Sequence, residues 1–178
     1  MQALAIPDAA AEDPIDRVAA LFDLYHRQLY RLARRLCAND DDARDLVQET
    51  YLRAARSTGS IPLGREGEQA WLMRVLINIR RDEWRRTRRR SWLRTLHLDA
   101  PEGSPSAEAA FIARNTVTHA LDKLSPRRRA VLVLHELEGH DITEIAQLLG
   151  IAVVTVRWHL AAARRELRAT ILKQGGAS

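Results

Sequence analysis

The chain has 178 residues and a formal net charge of +5, from 28 basic and 23 acidic side chains. Only Lys123 and Lys173 are lysines, so the positive charge is nearly all guanidinium; it favours a polyanionic partner, and its planar fork suits phosphates and guanine edges. The lone Cys37 excludes an internal disulfide and a cysteine-based zinc site. It fits a reducing compartment, and with no leader-like start over Met1–Ala11 and no apolar run of about 20 residues the expectation is a soluble, cytoplasmic protein.

Residues 1–12 read as a tail. Asp13-Pro14 supplies an N-cap and a first-turn proline for a helix with the apolar stripe Ile15, Val18, Phe22, Tyr25, Leu29, Leu32 and Leu36. Asn39-Asp40-Asp41-Asp42 interrupts it and caps a second helix, buried through Ala43, Leu46, Val47, Thr50, Tyr51 and Ala54. Asp45, Gln48, Glu49 and Arg53 form its outer face, which by composition alone is ordinary solvated surface. Ser57–Gly67, with three glycines and Pro62, is a predicted loop. A third helix is predicted from about Glu68 to Arg90, its inner side formed by Trp71, Leu72, Val75, Leu76 and Ile79.

Eight arginines fall between Arg80 and Arg94, with Trp84 and Trp92 among them. Such density can neutralise several phosphates, and the aromatics can stack on unpaired bases. Residues 91–106, holding Pro101, Gly103 and Pro105, read as a linker, with Trp92, Leu93, Leu96 and Leu98 giving its start some grip on a surface. A second helical module is predicted over 107–173, ahead of a short tail over 174–178. It opens with Ala110, Phe111, Ala113, Val117, Leu121 and Leu124 in phase, and Ser125-Pro126 starts a further helix ending at Gly139.

The stretch from Asp141 to Leu160 carries the most information. Ile142, Ile145, Ala146 and Leu149 share one helix face, Asp141 and Glu144 suit a capping box, and Gly150 stands where a helix end favours a residue without Cβ. Beyond that break Val156, Leu160, Ala163 and Leu167 repeat at helical spacing, while Arg157, Trp158, Arg164, Arg165 and Arg168 lie off the buried face. This is the pattern of a helix-turn-helix whose second helix enters the DNA major groove. The predicted fold is therefore all-α, in two small helical modules joined by a linker.

No metal or cofactor site and no catalytic constellation is expected. His135 and His140 imitate a zinc-protease helix, but they stand five apart with Gly139 between them, so they do not share a face.

Taken together, the chain resembles a bacterial RNA polymerase sigma factor of the extracytoplasmic-function (ECF) class of the sigma-70 family. The run Asp42-Ala43-Arg44-Asp45-Leu46-Val47-Gln48-Glu49-Thr50-Tyr51 looks like its region 2.2. Ala70-Trp71-Leu72-Met73-Arg74-Val75-Leu76-Ile77-Asn78-Ile79-Arg80-Arg81-Asp82 looks like regions 2.3 and 2.4. Leu124 through the helix-turn-helix looks like region 4.

The resemblance implies a non-enzymatic transcription initiation factor. Asp45, Gln48 and Glu49 would grip the clamp helices of core RNA polymerase, and the second module would meet its flap. Asn78, Arg81 and Arg85, with Trp84 nearby and the Ser57–Gly67 loop, would handle a single-stranded −10 element. Thr155, Arg157, Trp158, Arg164 and Arg165 would face a duplex −35 element. An anti-sigma factor, in some cases membrane-anchored, would mask these surfaces, with Trp92, Leu93 and Leu96 as candidate contacts.

Two departures from the family pattern stand out. Ala152-Val153-Val154-Thr155-Val156 lacks the usual capping residue and glycine, and Ala161-Ala162 replaces larger or polar side chains on the recognition helix, where Trp158 also replaces a small polar residue. Two other readings stay open at this stage: a stand-alone helix-turn-helix regulator that binds duplex DNA unaided, and a recombinase-type enzyme, which would need a nucleophilic Ser or Tyr among arginines.

Overall fold

The computed structural model describes residues 13–95 and 119–175. Its helices are α1 (Pro14–Leu36), α2 (Asp40–Arg56), a 3-10 turn (Thr58–Ser60), α3 (Arg65–Thr95), α4 (Pro126–Glu136), α5 (Ile142–Leu149) and α6 (Val153–Gly175), with a short helical stretch over 119–122. No strand occurs among the described residues. None of their helices alone is long and apolar enough to cross a membrane.

Local chemistry sets most of the boundaries. The Asp13 carboxylate accepts from the Ile15 amide at 3.0 Å, and Asn39 accepts from Asp42 at 2.8 Å, each satisfying a first-turn donor that the helix cannot. At Asp141 both bonds of the capping box form, 2.8 and 2.9 Å. Gly150 adopts φ +62°, and the Ile151 and Gly150 amides return to the Ala146 and Gln147 carbonyls at 3.0 and 3.3 Å. This pair of bonds is the Schellman closure, and it turns the chain so that α5 and α6 meet at 107°. Nothing lies within 4 Å of a Cβ built on Gly150, so the cost of a side chain there is backbone strain alone. Gly150→Ala is expected to lower stability by about 1–2 kcal/mol, read as a lower urea midpoint at unchanged slope.

Several boundaries differ from expectation. α3 starts at Arg65 rather than Glu68 and runs to Thr95 rather than Arg90, so the predicted linker begins inside a helix. α4 ends at Glu136, and Gly139 follows in a turn at φ +78°. In α1 Tyr25, Leu29, Leu32 and Leu36 are buried as expected, but Leu21 is buried in place of Phe22, and Phe22 and Ile15 are exposed. Phe22 instead stacks on His26 and tilts against Tyr51 along the α1–α2 groove. The six buried positions expected of α2 are all buried. Leu96, Leu98, Ala110, Phe111, Ala113 and Val117 lie outside the described residues, as do the predicted tail up to Glu12 and residues 176–178 of the second one.

α1, α2 and α3 form one helical group, and α4, α5 and α6 a second, but the buried residues of both belong to a single continuous cluster. α4 is the reason. Its six consecutive residues Arg129–Leu134 are buried, so the helix has no solvent face over this stretch and serves as a core element between the two groups. On α3 the expected Leu72, Leu76 and Ile79 are buried and Trp71 and Val75 half-buried; Met73 and Ile77 are buried besides, and Met73 lines a cavity shared with Leu148 of α5.

Arginines stitch the seam by capping helix ends. Arg129 is 4% exposed and donates to the Arg35 and Cys37 carbonyls at the end of α1, 2.7 and 2.9 Å, while pairing with Asp122. Arg74 of α3 donates to the Leu148 and Gln147 carbonyls at the end of α5, 2.7 and 2.9 Å. Arg35 reaches the Leu137 carbonyl just past α4 and pairs with Glu138. The last carbonyls of a helix have no partner within it and sit at the negative pole of its dipole, so a guanidinium answers both needs.

Candidate polymerase and promoter interfaces

Three surfaces take shape on this frame. The first lies on α2. Asp45 and Gln48 are exposed, and Glu49, half-buried, is held to Arg53 one turn on by a 3.1 Å ion pair. These three residues line a cavity of about 410 Å³ together with Asp82, Glu83 and Arg86 of α3. Burial raises the Glu83 carboxyl above its ordinary range, against the pull of Arg80 beside it. The acidic face is thus wider than α2 and includes the middle of α3, which sequence reasoning missed because the two stretches lie more than thirty residues apart. A second, more apolar cavity of about 600 Å³ adjoins it through Gln48 and Leu52 and is walled by Val18, Phe22, His26 and Tyr51. Periodicity predicts Phe22 in the core; it forms this wall instead.

The second surface runs along α3. Asn78 lines a cavity of about 280 Å³ with Arg53, Arg56, Ser57, Trp71 and Val75. The loop that follows is fixed by Arg17 of α1, which donates to the Thr58, Ile61 and Pro62 carbonyls at 3.2, 2.8 and 3.3 Å. Gly67 comes so close to Pro62 that a Cβ would sit 2.9 Å from the ring, so the loop base has no room for a side chain there. Trp71, Asn78 and Arg85 recur every seven residues and share one stripe of the helix. Arg81 lies beside that stripe and pairs with Asp82 at 3.2 Å. Trp84, six residues after Asn78, sits about 120° round the axis and carries Arg88 over its ring at 5.0 Å. The fold therefore does not join Trp84 to the Asn78 cavity. Side chains of Trp92 and Leu93 lie outside the described set, and Leu96 outside the described residues.

Arg81 and Arg85 face the second helical group. Arg127 at the start of α4 is partly buried, and that burial together with Arg81 and Arg85 lowers its pKa. Three guanidiniums thus gather at the seam.

The third surface is the outer face of α6. Ala152 has no capping side chain, yet its carbonyl takes the first helical bonds, from Thr155 and Val156 at 2.9 and 3.1 Å, so the helix starts without the family's usual residues. Val154, Arg157, Trp158, Ala161 and Arg165 are exposed, and Thr155 is half-buried at the first turn. Ala162 is 2% exposed and packs inward, which corrects its expected place beside Ala161 on the groove-facing side. Arg164 is already engaged, its Nε donating to Glu136 at 2.9 Å, and this bond holds the Glu136 carboxyl below its usual range. Burial, with Arg127 and Arg128 nearby, lowers the pKa of His159 and favours its neutral form.

Comparison with known proteins places these surfaces in a family. Residues 21–90 match the model of sigma-70 region 2, and residues 114–167 match sigma-70 region 4. The chain is 37% identical over 169 residues to the ECF RNA polymerase sigma factor SigL of Mycobacterium tuberculosis, with 94% of each chain covered. It is 36% identical over 152 residues to the ECF sigma factor SigE of Mycolicibacterium smegmatis, covering 82% of this chain and spanning 58% of that relative's length. Its fold is similar to that of the sigma factor RpoE crystallised with the anti-sigma factor NepR from Bartonella quintana: TM-score 0.63, 23% identity, 87% of this chain and 96% of that one. A chain whose acidic α2 face, arginine-lined α3 and helix-turn-helix fall within matched regions 2 and 4 belongs to the ECF RNA polymerase sigma factors of the sigma-70 family.

Proposed function

We propose that this chain is a non-catalytic, cytoplasmic initiation subunit that docks on core RNA polymerase through Asp45, Gln48 and Glu49 and contacts promoter DNA at two points. The Asn78 cavity takes an unstacked base of the −10 strand, with Trp71 as its aromatic wall and Arg53 and Arg56 at the phosphates. The α6 face takes the −35 duplex. The observation that carries this reading is the Asn78 cavity itself: an aromatic, an amide and two arginines converge at its walls, which is what capture of a single base requires. The domain division follows the helical groups, with region 2 function in α1–α3 and region 4 function in α4–α6.

An anti-sigma factor would hold the free protein in check. The apolar groove along Phe22 and Tyr51 adjoins the acidic face, so one inhibitor can cover both. Run-off transcription with purified core polymerase on a library of native promoters tests the function. Specific transcripts that need this chain are expected, and the absence of initiation on every template sinks it. A stand-alone regulator would instead bind duplex DNA tightly without polymerase.

A further inference from the structure

The outer face of α6 is chemically odd for a DNA reader. Val154, Trp158 and Ala161 stand at i, i+4 and i+7 and form an apolar ridge; Val154 is 70% and Trp158 56% exposed. A contiguous exposed apolar strip, unlike a single exposed residue, marks a surface that meets a partner. The ring is also held in place. Arg128 of α4 lies over it, its guanidinium carbon 5.1 Å from the ring centroid, and Arg128 is itself clamped by an ion pair to Glu166 about two turns further along α6. His159 meets the ring edge-on at 5.0 Å. One face of the indole is thus occupied and its direction set before any ligand arrives.

What covers the ridge follows from its borders. Arg157 stands beside it and Arg165 and Arg168 continue its line toward the C-terminus; all three are exposed and have no ion-pair partner among the described residues. Free guanidiniums along one edge and at the far end of an apolar strip suit the phosphates that border a groove floor. The groove floor offers one apolar group to such a ridge, the C5-methyl of thymine. Hydrogen-bond readout would need a polar side chain, and Val154 and Ala161 have none. Seven residues of helix rise about 10 Å, the span of roughly three stacked base pairs.

We propose that α6 reads its DNA through thymine methyl groups, with Trp158 as the principal specificity-determining residue and Arg128 and Glu166 as positioning residues that fix its ring. This rests on the reading that α6 enters the major groove of the −35 element. Discrimination on this face then comes from apolar contact, and the arginines at its borders position the helix without selecting bases. The preferred −35 sequence carries thymine on one strand or the other at the positions beneath Val154 and Trp158.

The test uses the full chain bound to core polymerase and a promoter that it initiates from. Each −35 thymine is replaced in turn by deoxyuridine, which keeps every hydrogen-bonding group and removes only the methyl. For the wild type at least one replacement is expected to weaken binding about fourfold, the value of one buried methyl-sized group. Trp158→Ala should abolish that difference while melting like the wild type, and Trp158→Leu, still apolar, should keep part of it. Glu166→Gln should shrink the difference by loosening Arg128 over the ring. Equal binding of uracil and thymine at every position, by a holoenzyme that still prefers its own −35 sequence, overturns methyl reading and leaves region 4 recognition standing. A methyl effect unchanged in Trp158→Ala overturns the role of Trp158. Indifference to the whole −35 element overturns both readings. If Trp158→Ala changes only the affinity for an inhibitor protein, the ridge is a protein-docking face and the proposal fails.

Discussion

Replacing Arg129 with alanine is expected to part the two helical groups and to cost about 3 kcal/mol. Its guanidinium is buried and satisfies two carbonyls at the end of α1, and it neutralises Asp122. Removing one partner of a buried charged network leaves the others desolvated and unpaired, which is where large single-residue losses arise. The Asp122 side chain keeps some solvent contact, so its share is small and the two orphaned carbonyls dominate. Arg129→Lys keeps the charge but not the fork, and should fall between.

Cys37 reports on this event without any added label site. Its carbonyl accepts from Arg129, its side chain is 1% exposed, and burial pushes its thiol up to about 11. At pH 8 the native thiol is therefore protonated and shielded, and alkylation is slow. Opening the seam should speed alkylation tenfold or more in Arg129→Ala, alongside a lower urea midpoint. Unchanged labelling and an unchanged midpoint would show that the seam bonds contribute nothing. The sign of the pH dependence follows from the same group. Its folded pKa lies above its unfolded one, so the contribution is complete below about pH 9 and is lost as pH climbs toward 11.

The largest functional effect is expected from reversing charge on α2. Asp45→Arg with Glu49→Arg should weaken binding to core polymerase about a hundredfold, near 3 kcal/mol, because it reverses the charge of the face proposed to dock. Folding should barely change. Asp45 is exposed, and the Glu49–Arg53 pair is a helix-surface pair of the kind worth about 0.3–0.5 kcal/mol. The measurement is a competition against wild-type chain for limiting core polymerase, with circular dichroism melts as the control. Binding within twofold of wild type would remove α2 from the polymerase interface. Asp82, Glu83 and Arg86 would then be the next residues to alter, since they share the cavity with Asp45.

Much of the molecule was legible from local pattern. The caps at Asp13, Asn39 and Asp141 and the turn at Gly150 are decided by side-chain chemistry within a few residues, so they could be read directly. The buried face of α2 was legible for the same reason, since one helix with one apolar stripe has one way to face the core. Where a helix offers two adjacent apolar residues the pattern is silent. Leu21 and Phe22 satisfy the same spacing, and only the packing of α2 and α3 selects Leu21 and turns Phe22 toward the groove. Ala161 and Ala162 are the same case on α6. One missed signal was available: Ala130-Val131-Leu132-Val133-Leu134 is apolar all round, and such a helix must be buried on every side.

By itself, then, the sequence determined the helices, their caps, the helix-turn-helix and, through three ordered motifs, the family. Only the tertiary structure decided how the two groups meet. Arg129 finds its carbonyls 94 and 92 positions back along the chain, and Arg74 finds its own 74 and 73 positions ahead. Helix formation and capping are interactions over three or four residues, and a sequence records them in its periodicity. The carbonyl at a distant helix end is a backbone group that every residue carries, so no side-chain pattern marks it as the partner of a particular arginine. The same holds for Trp158: composition shows an aromatic on a basic helix, and only the fold lays Arg128 across its face.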